Sequence, residues 1–332
     1  MTQDITYDMV AIGNAIVDVM TRVSDMFLDE RDLVKGSMAL IDAKKAGDLY
    51  SQIDPERECS GGSAANTVVG FAALGGTPAF IGKVHADELG KLFKRDIGVA
   101  GVEFPTPPMY EGPSTGRCIV LVTPDSQRTM NTYLGACSKL SVDDIDDELI
   151  KNSKITYLEG YLWDEEDAKK AMTRACEIAE KYDRKVALTL SDSFCVDRHR
   201  DEFLKLIKEH VNILFANESE IKALYQTDNF EEVVKKVKKD CEITAITRQE
   251  KGSVVISGMI STYVDAEDVK EVVDSTGAGD LYAAGFLYGY CNDYDLGVCA
   301  RIGGIAAGEI ITHYGARPEV SLKGLVRKKL GI

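Results

Sequence analysis

Short apolar runs alternate with amphipathic stretches along the chain from residue 141 onward. The apolar runs have the length of buried strands, and the stretches between them carry apolar residues at helical spacing. Such alternation is typical of a parallel sheet covered by helices on both faces, where ligands bind at the carboxyl ends of the strands. The predicted strands are 155–158, 186–190, 212–216 and 243–247, and the predicted helices are 142–150, 164–182, 197–209, 218–225 and 230–239.

The part of the chain before residue 135 follows a different pattern. An apolar run at 7–12 predicts another buried strand, and a helix is predicted from the glycine pair at 61–62 to about residue 74. Residues of about 16–60, together with 117–133, instead form short strand-like runs without the alternation of strands and helices. We therefore predict a small separate sheet beside the main one. Its strand-like runs are 17–23, 37–41, 117–122 and 128–133. The predicted core comprises residues 1–15, 60–110 and 135–332, and the predicted small β unit comprises 16–59 and 111–134.

The composition predicts a globular protein with a small ligand. The chain has 332 residues, and its hydrophobic fraction of 45% is ample for a buried core. Its formal net charge of −15 argues against nucleic acid or an anionic membrane as a partner, since both require basic patches. We therefore expect a small molecule as the ligand, and neither nucleic acid nor a membrane as a partner.

The targeting and cysteine patterns predict a cytoplasmic protein. The first four residues include an acid and no apolar segment, so we expect no secretory signal. No run of 18 apolar residues occurs, so we expect no membrane span. The eight cysteines form no C-x-x-C pair and the four histidines show no metal spacing. We therefore expect reduced thiols and no structural zinc site.

Residues 274–280, Asp-Ser-Thr-Gly-Ala-Gly-Asp, lead from an apparent strand into a helix of small residues. The backbone N–H groups of Gly277, Ala278 and Gly279 can point at one spot where the helix dipole is positive, which predicts an anion site. Asp280 can accept a proton from a hydroxyl held in front of it, as the base of a phosphoryl-transfer enzyme does.

A structural interpretation of this stretch stays open on spacing alone. A Gly-rich turn between a strand, here 269–273, and a helix is common, and an Asp in the first helical turn is favoured electrostatically in any protein. Two other glycine motifs are excluded. Tyr282 replaces the third Gly of a dinucleotide-binding G-x-G-x-x-G fingerprint, and Gly82-Lys83 is followed by Val84, where a P-loop requires Ser or Thr.

Several other polar groups allow both a structural and a functional interpretation. Asp18, which interrupts an apolar run, is either a solvent-facing strand residue or an acceptor for two hydroxyl donors. A Gly pair ending at Gly62, with Asn66 one helical turn later, permits close approach to a ligand but also suits a plain turn before a packing helix. Asn217 with Glu220 fits the capping box of a helix.

Together these residues resemble the ribokinase/PfkB family of carbohydrate and nucleoside kinases. The resemblance covers about residues 7–325 and is carried by 274–286 and by the Gly-Gly-x-x-x-Asn pattern at 61–66. It implies a ribokinase-like three-layer α/β sandwich with a mainly parallel central sheet. It makes the small β unit a lid that keeps water from the reaction. It also implies that the backbone of 277–279 forms an anion hole and that Asp280 is the catalytic base.

The resemblance further implies which residues bind the acceptor. The context of 13–18 is especially similar to the adenosine kinase branch, whose aromatics approach the purine from a segment that matches 160–163. Leu162 departs from that pattern, because those enzymes usually carry an aromatic there. The residues that the resemblance assigns to the acceptor are Asn14, Asp18, Gly61, Gly62, Asn66 and Tyr161.

The resemblance likewise implies a nucleotide side. It places Arg128 near the phosphates, where its charge can offset that of the transition state. It assigns Glu220 to Mg²⁺ through water, which suits the preference of Mg²⁺ for carboxylate plus water. Asp274 matches the monovalent-cation position of some relatives, which suggests K⁺. The residues assigned to ATP are Asn217, Glu220, Thr247 and Gly252.

The expected function is phosphorylation, by ATP with Mg²⁺, of the primary 5'-type hydroxyl of a nucleoside, adenosine in particular. A ribokinase- or fructokinase-like sugar kinase is the alternative within the family. A non-catalytic nucleotide- or sugar-binding sensor is the alternative of another class, and Asp280 argues against it because a sensor needs no base. We expect a monomer or a homodimer.

Overall fold

The computed structural model describes residues 5–332, so the first four residues, which bear on a secretory signal, lie outside the described part. The strands are β1 (Tyr7–Ile12), β2 (Ile16–Arg22), β3 (Met38–Leu40), β4 (Arg57–Gly61), β5 (Pro78–Ile81), β6 (Gly116–Val122), β7 (Arg128–Tyr133), β8 (Ser153–Glu159), β9 (Lys185–Thr189), β10 (Ile213–Asn217), β11 (Ile243–Thr247), β12 (Ser253–Ser257) and β13 (Ile260–Val264). The α-helices are α1 (Asp25–Asp29), α2 (Ala43–Tyr50), α3 (Ser63–Leu74), α4 (Glu88–Val99), α5 (Asp147–Lys151), α6 (Glu166–Lys181), α7 (Ser193–His210), α8 (Glu218–Tyr225), α9 (Phe230–Asp240), α10 (Ala278–Cys291), α11 (Leu296–Ile310) and α12 (Leu322–Leu330).

Eight strands form the main sheet, in the order β13-β12-β11-β10-β9-β8-β1-β5. The strands from β11 to β5 run parallel, while β12 and β13 extend the other edge as antiparallel strands. The chain first moves from β1 to β5 and later continues on the other side of β1, at β8. The carboxyl ends of β1 and β8 therefore flank the crevice in which sheets of this kind bind ligands.

Helices cover both faces of the main sheet, as side chains that alternate along its buried strands require. Met9 and Ala11 of β1 pack in the layer that contains α3, α4, α10 and α11. Val10 and Ile12 of the same strand pack in the opposite layer, which contains α5 to α9. All four side chains are fully buried. The predicted three-layer α/β sandwich is confirmed.

Five strands form a second sheet, the lid sheet, in the order β3-β7-β6-β2-β4. Strands β2 and β6 pair in parallel, as do β3 and β7, and the other two pairs are antiparallel. Ile119 and Leu121 of β6 pack against Leu28 of α1 and Leu49 of α2, so helices cover one face. The domain boundaries predicted from the sequence stay predictions. Strand β4 spans residues 59 and 60, where the predicted small β unit meets the predicted core.

The other face of the lid sheet, which we call the inner lid face, turns toward the main sheet. Asp18 and Arg128 lie on this face, and Arg128 Nη1 reaches Asp274 Oδ2 of the main body at 2.5 Å. Cross-strand pairing also places a row of apolar side chains there. The row consists of Met20, Val120, Met130 and Met38.

Several segments differ from the sequence prediction, and the first are α1 and α2, which lie between strands of the lid sheet where no helix was predicted. Residues 269–273, predicted as a strand, are irregular, and the N–H groups of Val273 and Asp274 donate to Ile311 O at 2.8 and 3.3 Å. The loop after α11, rather than the sheet, therefore holds this segment. α7 begins earlier than predicted because Asp192 caps it, accepting from Cys195 N at 2.6 Å. The predicted helix at 142–150 is divided into a 3-10 turn and the short α5.

None of the helices in residues 5–332 is long and apolar enough to cross a membrane. The eight cysteines all lie in this range and are free thiols.

Candidate active site

The crevice between β1 and β8 holds a buried carboxylate that the sequence analysis missed. Glu159 ends β8 and accepts from Asn14 Nδ2 at 2.7 Å, so the predicted acceptor residue Asn14 is fixed from the neighbouring strand. Glu159 Oε2 also accepts from Ala64 N at 2.9 Å, at the start of α3. Burial raises the pKa of Glu159 to about 7, although these hydrogen bonds oppose the rise. Glu159 thus joins β1, β8 and α3 at the switch point of the sheet.

Asp280 lies in the first turn of α10 and faces the first turn of α3. Ser63 Oγ donates to Asp280 Oδ1 at 2.6 Å, and Asn66 Nδ2 donates to Asp280 Oδ2 at 3.0 Å. Burial raises the pKa of Asp280 to about 6, while both hydrogen bonds and the charge of Arg317 oppose the rise. A carboxylate with a pKa near 6 is ionised at neutral pH and still basic enough to take a proton from a reacting hydroxyl.

Asp18 faces the same space from the inner lid face. Burial raises the pKa of Asp18 to about 6, and the charges of Arg317 and Arg128 oppose the rise. Asp18 and Asn66 line one cavity, and Asn66 also hydrogen-bonds to Asp280. Asn66 therefore connects the cavity of Asp18 to the carboxylate of Asp280.

The glycine pair leaves room at this cavity. A side chain at Gly61 would overlap the carboxylate of Asp18, and a side chain at Gly62 would overlap Asn14 O. Gly62 also has φ +99°, a conformation that other residues rarely adopt. Both glycines are therefore required for Asp18 and Asn14 to approach the start of α3.

The N-terminus of α10 has the geometry of an anion site. Gly277 is its N-cap with φ +79°, and no side chain in the described part of the chain caps the helix. Ala278 N donates to Ser275 O at 3.2 Å, so this amide closes the turn. A Cβ on Gly279 would meet nothing within 4 Å, which means that open space lies in front of it. The first-turn amides that follow Ala278 are therefore free to meet an anion in that space.

Arg128 connects the lid sheet to the loop before this helix. Its Nη1 pairs with Asp274 Oδ2 at 2.5 Å and lies 3.4 Å from Thr276 Oγ1, and the Arg128 and Asp274 side chains are only 10% and 8% exposed. Its Nε and Nη2 have no hydrogen-bond partner among residues 5–332. Buried donors without partners are costly, so the guanidinium is suited to receive an anion beside the first turn of α10.

The predicted monovalent-cation residue Asp274 is engaged in this structure. Its Oδ1 accepts from Thr276 N and Oγ1 at 3.1 and 2.8 Å, and its Oδ2 accepts from Gly315 N at 3.0 Å besides pairing with Arg128. A cation at Asp274 Oδ2 would compete with the guanidinium of Arg128 for this oxygen.

The predicted nucleotide residues lie at the carboxyl edge of the same sheet. Asn217 and Glu220 form the predicted capping box of α8, and Thr247 lies opposite Asn217 in the register of β10 and β11. Burial raises the pKa of Glu220 to about 7, and the negative charges of Asp192 and Asp280 add to the rise. A divalent cation near Glu220 would favour the ionised form of this carboxylate, and Mg²⁺ prefers carboxylate oxygens together with water.

Two further observations concern the predicted metal site and the predicted nucleotide residue Gly252. Within residues 5–332, no group of three or more His, Cys, Asp and Glu side chains is placed to hold a metal ion. Gly252 has φ +74° in the turn before β12, and a side chain there would overlap Val264 O, so its glycine has a structural reason.

The aromatic segment after β8 contributes less to the site than the family pattern suggests. Trp163 is buried in the core, where Nε1 donates to Glu202 at 2.6 Å and the ring packs 5.6 Å from that of Phe203. Leu162 is buried in the same cluster. Tyr161 remains half-buried, and its N–H donates to Ser191 Oγ at 3.1 Å.

Comparisons with known proteins agree with this geometry. Residues 38–322 match the model of the pfkB family carbohydrate kinases. The adenosine kinase structure from Sinorhizobium meliloti aligns with a TM-score of 0.89 and 49% sequence identity, over 97% of this chain and 99% of that chain. The structure of a probable sugar kinase protein from Rhizobium etli CFN 42 aligns with a TM-score of 0.90 and 47% sequence identity, over 98% of each chain. The adenosine kinase of Saccharomyces cerevisiae is 28% identical over an alignment of 317 residues that covers 88% of this chain and 91% of the yeast protein.

These matches extend over most of the chain, and the family match includes both residues 61–66 and residues 274–280. The protein is therefore a phosphotransferase with an alcohol group as acceptor, and it belongs to the pfkB family of carbohydrate kinases.

Proposed function

We propose that this protein transfers the γ-phosphoryl group of ATP to the primary 5'-hydroxyl of a nucleoside, adenosine in particular. The observation that carries the proposal is the placement of Asp280. Its carboxylate is held by Ser63 and by Asn66, and Asn66 lines the cavity of Asp18. Asp280 also belongs to the helical turn whose amides face open space. One hydroxyl can therefore touch the carboxylate while a terminal phosphate touches the amides.

Each group has a separate role in the proposed transfer. Asp18 accepts hydrogen bonds from two hydroxyls of the acceptor and orients it, and Asn66 assists because its Oδ1 is still without a partner among the described residues. Asp280 takes the proton of the reacting hydroxyl. The first-turn amides and the unpartnered donors of Arg128 stabilise the charge on the phosphoryl group as it moves.

Mg²⁺ would offset the charge of the ATP phosphates, as the kinase family implies. We propose that Glu220 holds the ion through water while Asn217 keeps the Glu220 carboxylate in place. We assign Thr247 to the nucleotide because it lies beside Asn217, and Gly252 to the turn that positions it. A K⁺ site at Asp274 stays a prediction, and it requires that Arg128 leave the carboxylate.

The inner lid face favours a nucleoside over a free sugar. Its row of Met20, Val120, Met130 and Met38 lies beside Asp18, and Met38 is 50% exposed. Val120 is already buried, and Met38 is the member of this row with the most surface left for a ligand to cover. An apolar, flat nucleobase can bury this surface, whereas a free pentose or hexose would leave it in water. The S. meliloti and yeast relatives are named adenosine kinases, which supports adenosine as the nucleoside.

A sugar kinase is the second candidate. The R. etli protein of 47% identity is described as a probable sugar kinase, and Leu162 occupies a position where adenosine kinases usually carry an aromatic. A binding sensor is the candidate of another class. The intact Asp280 and its two hydrogen bonds argue against it, because a sensor gains nothing from a fixed base.

The experiment is phosphate transfer from ATP with Mg²⁺ to a panel of adenosine, other nucleosides, ribose and fructose. We expect kcat/KM to be highest for adenosine. Preferred turnover of a free sugar would establish the sugar kinase instead. Binding of ATP and of an acceptor without any transfer would establish the sensor. Oligomeric state and cytoplasmic location stay predictions.

A further inference from the structure

Arg317 lies on the loop between α11 and α12, which crosses the active site. Just before it, Gly315 N donates to Asp274 Oδ2 at 3.0 Å, and Ala316 lies so close to Gly277 that a Cβ there would be 2.7 Å from its side chain. This loop therefore backs the turn that opens α10.

The Arg317 side chain then reaches across to the start of α3. Its Nη2 donates to Ser60 O and, at 2.9 Å, to Ser60 Oγ, and its Nη1 lies 3.4 Å from Ala65 O. Ser60 is held from the other side, since its N and Oγ both donate to Asp96 Oδ2 at 2.7 Å. Arg317 thus ties the backbone around the Gly61-Gly62 pair to the loop behind the anion site.

The guanidinium also lies among the reacting carboxylates. It lines the same cavity as Asp18 and Asn66, and its charge lowers the pKa of both Asp18 and Asp280. Burial itself lowers the pKa of Arg317, and the neighbouring acids oppose that change. The titratable groups that interact electrostatically with Asp280 are Asp18 of β2, Tyr157 and Glu159 of β8, Tyr161, Glu220 of α8 and Arg317. Those that interact with Asp18 are Asp280, Arg317, Arg57 and Cys59 of β4, Cys118 of β6 and Arg128 of β7.

We propose that Arg317 is a positioning residue for the phosphoryl transfer: it fixes the start of α3 against the anion-site loop and supplies positive charge that Asp18 and Asp280 share. The inference rests on the proposed function. The crevice holds several acids and must also admit the phosphates of ATP, so a fixed cation keeps both carboxylates ionised at neutral pH. The hydrogen bonds to Ser60 O and Ala65 O hold the guanidinium at the start of α3.

The first experiment compares Arg317→Met, Arg317→Lys and wild type in kcat/KM for the preferred acceptor from pH 5 to 9. We expect Arg317→Met to lower kcat/KM at pH 7 by about 10- to 100-fold and to move the acid limb upward by about one pH unit, with recovery toward pH 9. Arg317→Lys retains the positive charge but loses the planar guanidinium with its several donors. We therefore expect its acid limb to stay near that of wild type, and its kcat/KM to lie between those of wild type and Arg317→Met. Added guanidinium should partly rescue Arg317→Met and not Arg317→Lys. Arg301→Met, an exposed arginine on α11, is the matched control.

The second experiment needs no activity. Asp18 and Asp280 have pKa values near 6 in the folded chain and near 3.8 when unfolded, so their contribution to stability is present below pH 3.8 and lost as pH rises through 6. In Arg317→Met we expect the pKa values of Asp18 and Asp280 in the folded chain to be higher, so the folded chain continues to lose stability as the pH rises toward 8. Urea unfolding should therefore show a larger difference between this variant and wild type at pH 8 than at pH 5.

The outcomes separate the two proposals. An unchanged acid limb with equal destabilisation at both pH values means that Arg317 only packs, which overturns the inference. A kcat/KM within twofold of wild type at pH 7 also overturns it. If wild type phosphorylates no acceptor, the proposed function fails, and the pH-dependent stability difference still decides whether Arg317 supports the two carboxylates.

Discussion

The two sheets of this protein are covered differently, and each supplies a different part of the site. The main sheet is buried on both faces, so polar side chains occur where its strands end, as at Glu159, Asn217 and Thr247. Helices cover the lid sheet on one face alone, and its inner lid face carries Asp18, Arg128 and the exposed Met38.

This difference separates groups that are held in place from groups that depend on closure. The helix ends at Asp280 and Glu220 are anchored by the packed layers and by their own hydrogen bonds. The lid groups reach the site only while the lid sheet stays against the main body, which the Arg128–Asp274 pair holds at one point. We therefore expect main-sheet changes to alter the chemical step, and lid changes to alter closure and the choice of acceptor.

The largest expected effect belongs to the helix end of the main body. Asp280→Asn removes the base but keeps the size of the side chain, so kcat should fall by about 10²- to 10⁴-fold while the fold is retained. Steady-state kinetics measures kcat, and thermal unfolding of the same preparation shows whether the fold is retained. Asp293→Asn, exposed after α10 with φ +58°, which Asn tolerates, is the control. Near-normal turnover of Asp280→Asn would remove Asp280 from the mechanism.

The next effect tests the contact between the two regions. Arg128→Met breaks the pair with Asp274 and removes the unpartnered donors, so kcat/KM should fall about 10- to 100-fold, or ~1.4–2.8 kcal/mol of transition-state stabilisation. Arg22→Met is the matched control, because Arg22 lies on the same inner lid face and its side chain is 80% exposed. Equal kinetics for the two variants would show that Arg128 plays no part.

A double variant sharpens this comparison. If Arg128 acts through its pair with Asp274, then Arg128→Met should cost much less in an Asp274→Asn background than in wild type. Fully additive losses would mean that the guanidinium acts on the phosphates independently of the pair. Measuring each variant with and without K⁺ also tests whether a cation can replace the guanidinium at Asp274.

The pH profile of the wild type compares the buried carboxylates with ordinary ones. Burial raises the pKa of Asp280 and of Asp18 to about 6, and the ionised forms are lost as pH falls through that value. kcat/KM for the acceptor should therefore be about tenfold or more lower at pH 5 than at pH 8, with an apparent pKa that belongs to the pair. An acid limb near pH 4 would show that neither carboxylate is desolvated in solution.

Much of the fold could be predicted from the sequence because burial leaves a local signal. The strands at 7–12 and 243–247 are apolar runs in a sheet covered on both faces, and the structure has them as predicted. β4 could not be predicted in this way, because Arg57–Gly61 is polar and its role is to bring a glycine pair to the site. The strand predicted at 269–273 was wrong, because the backbone at the end of this segment donates its hydrogen bonds to the loop after α11.

The candidate site was predictable where local motifs exist. Residues 274–280 and the glycine pair at 61–62 carry backbone requirements that show in sequence. Glu159 and Arg317 carry none, because each acts through contacts with segments far along the chain. Glu159 left one weak signal, an acid that ends an apolar strand. Long-range pairing of this kind becomes visible only when the strands are placed side by side.

The smallest expected effect concerns acceptor choice on the inner lid face. Met38→Ser removes the exposed end of the apolar row that leads to Asp18, so KM for adenosine should rise roughly threefold to tenfold with kcat little changed. KM for ribose, if ribose is turned over at all, should not move, because a free sugar buries none of this surface. Met26→Ser, exposed on α1 beyond the covered face, is the control. A parallel rise for adenosine and ribose would mean that Met38 shapes the lid as a whole and does not contact a base.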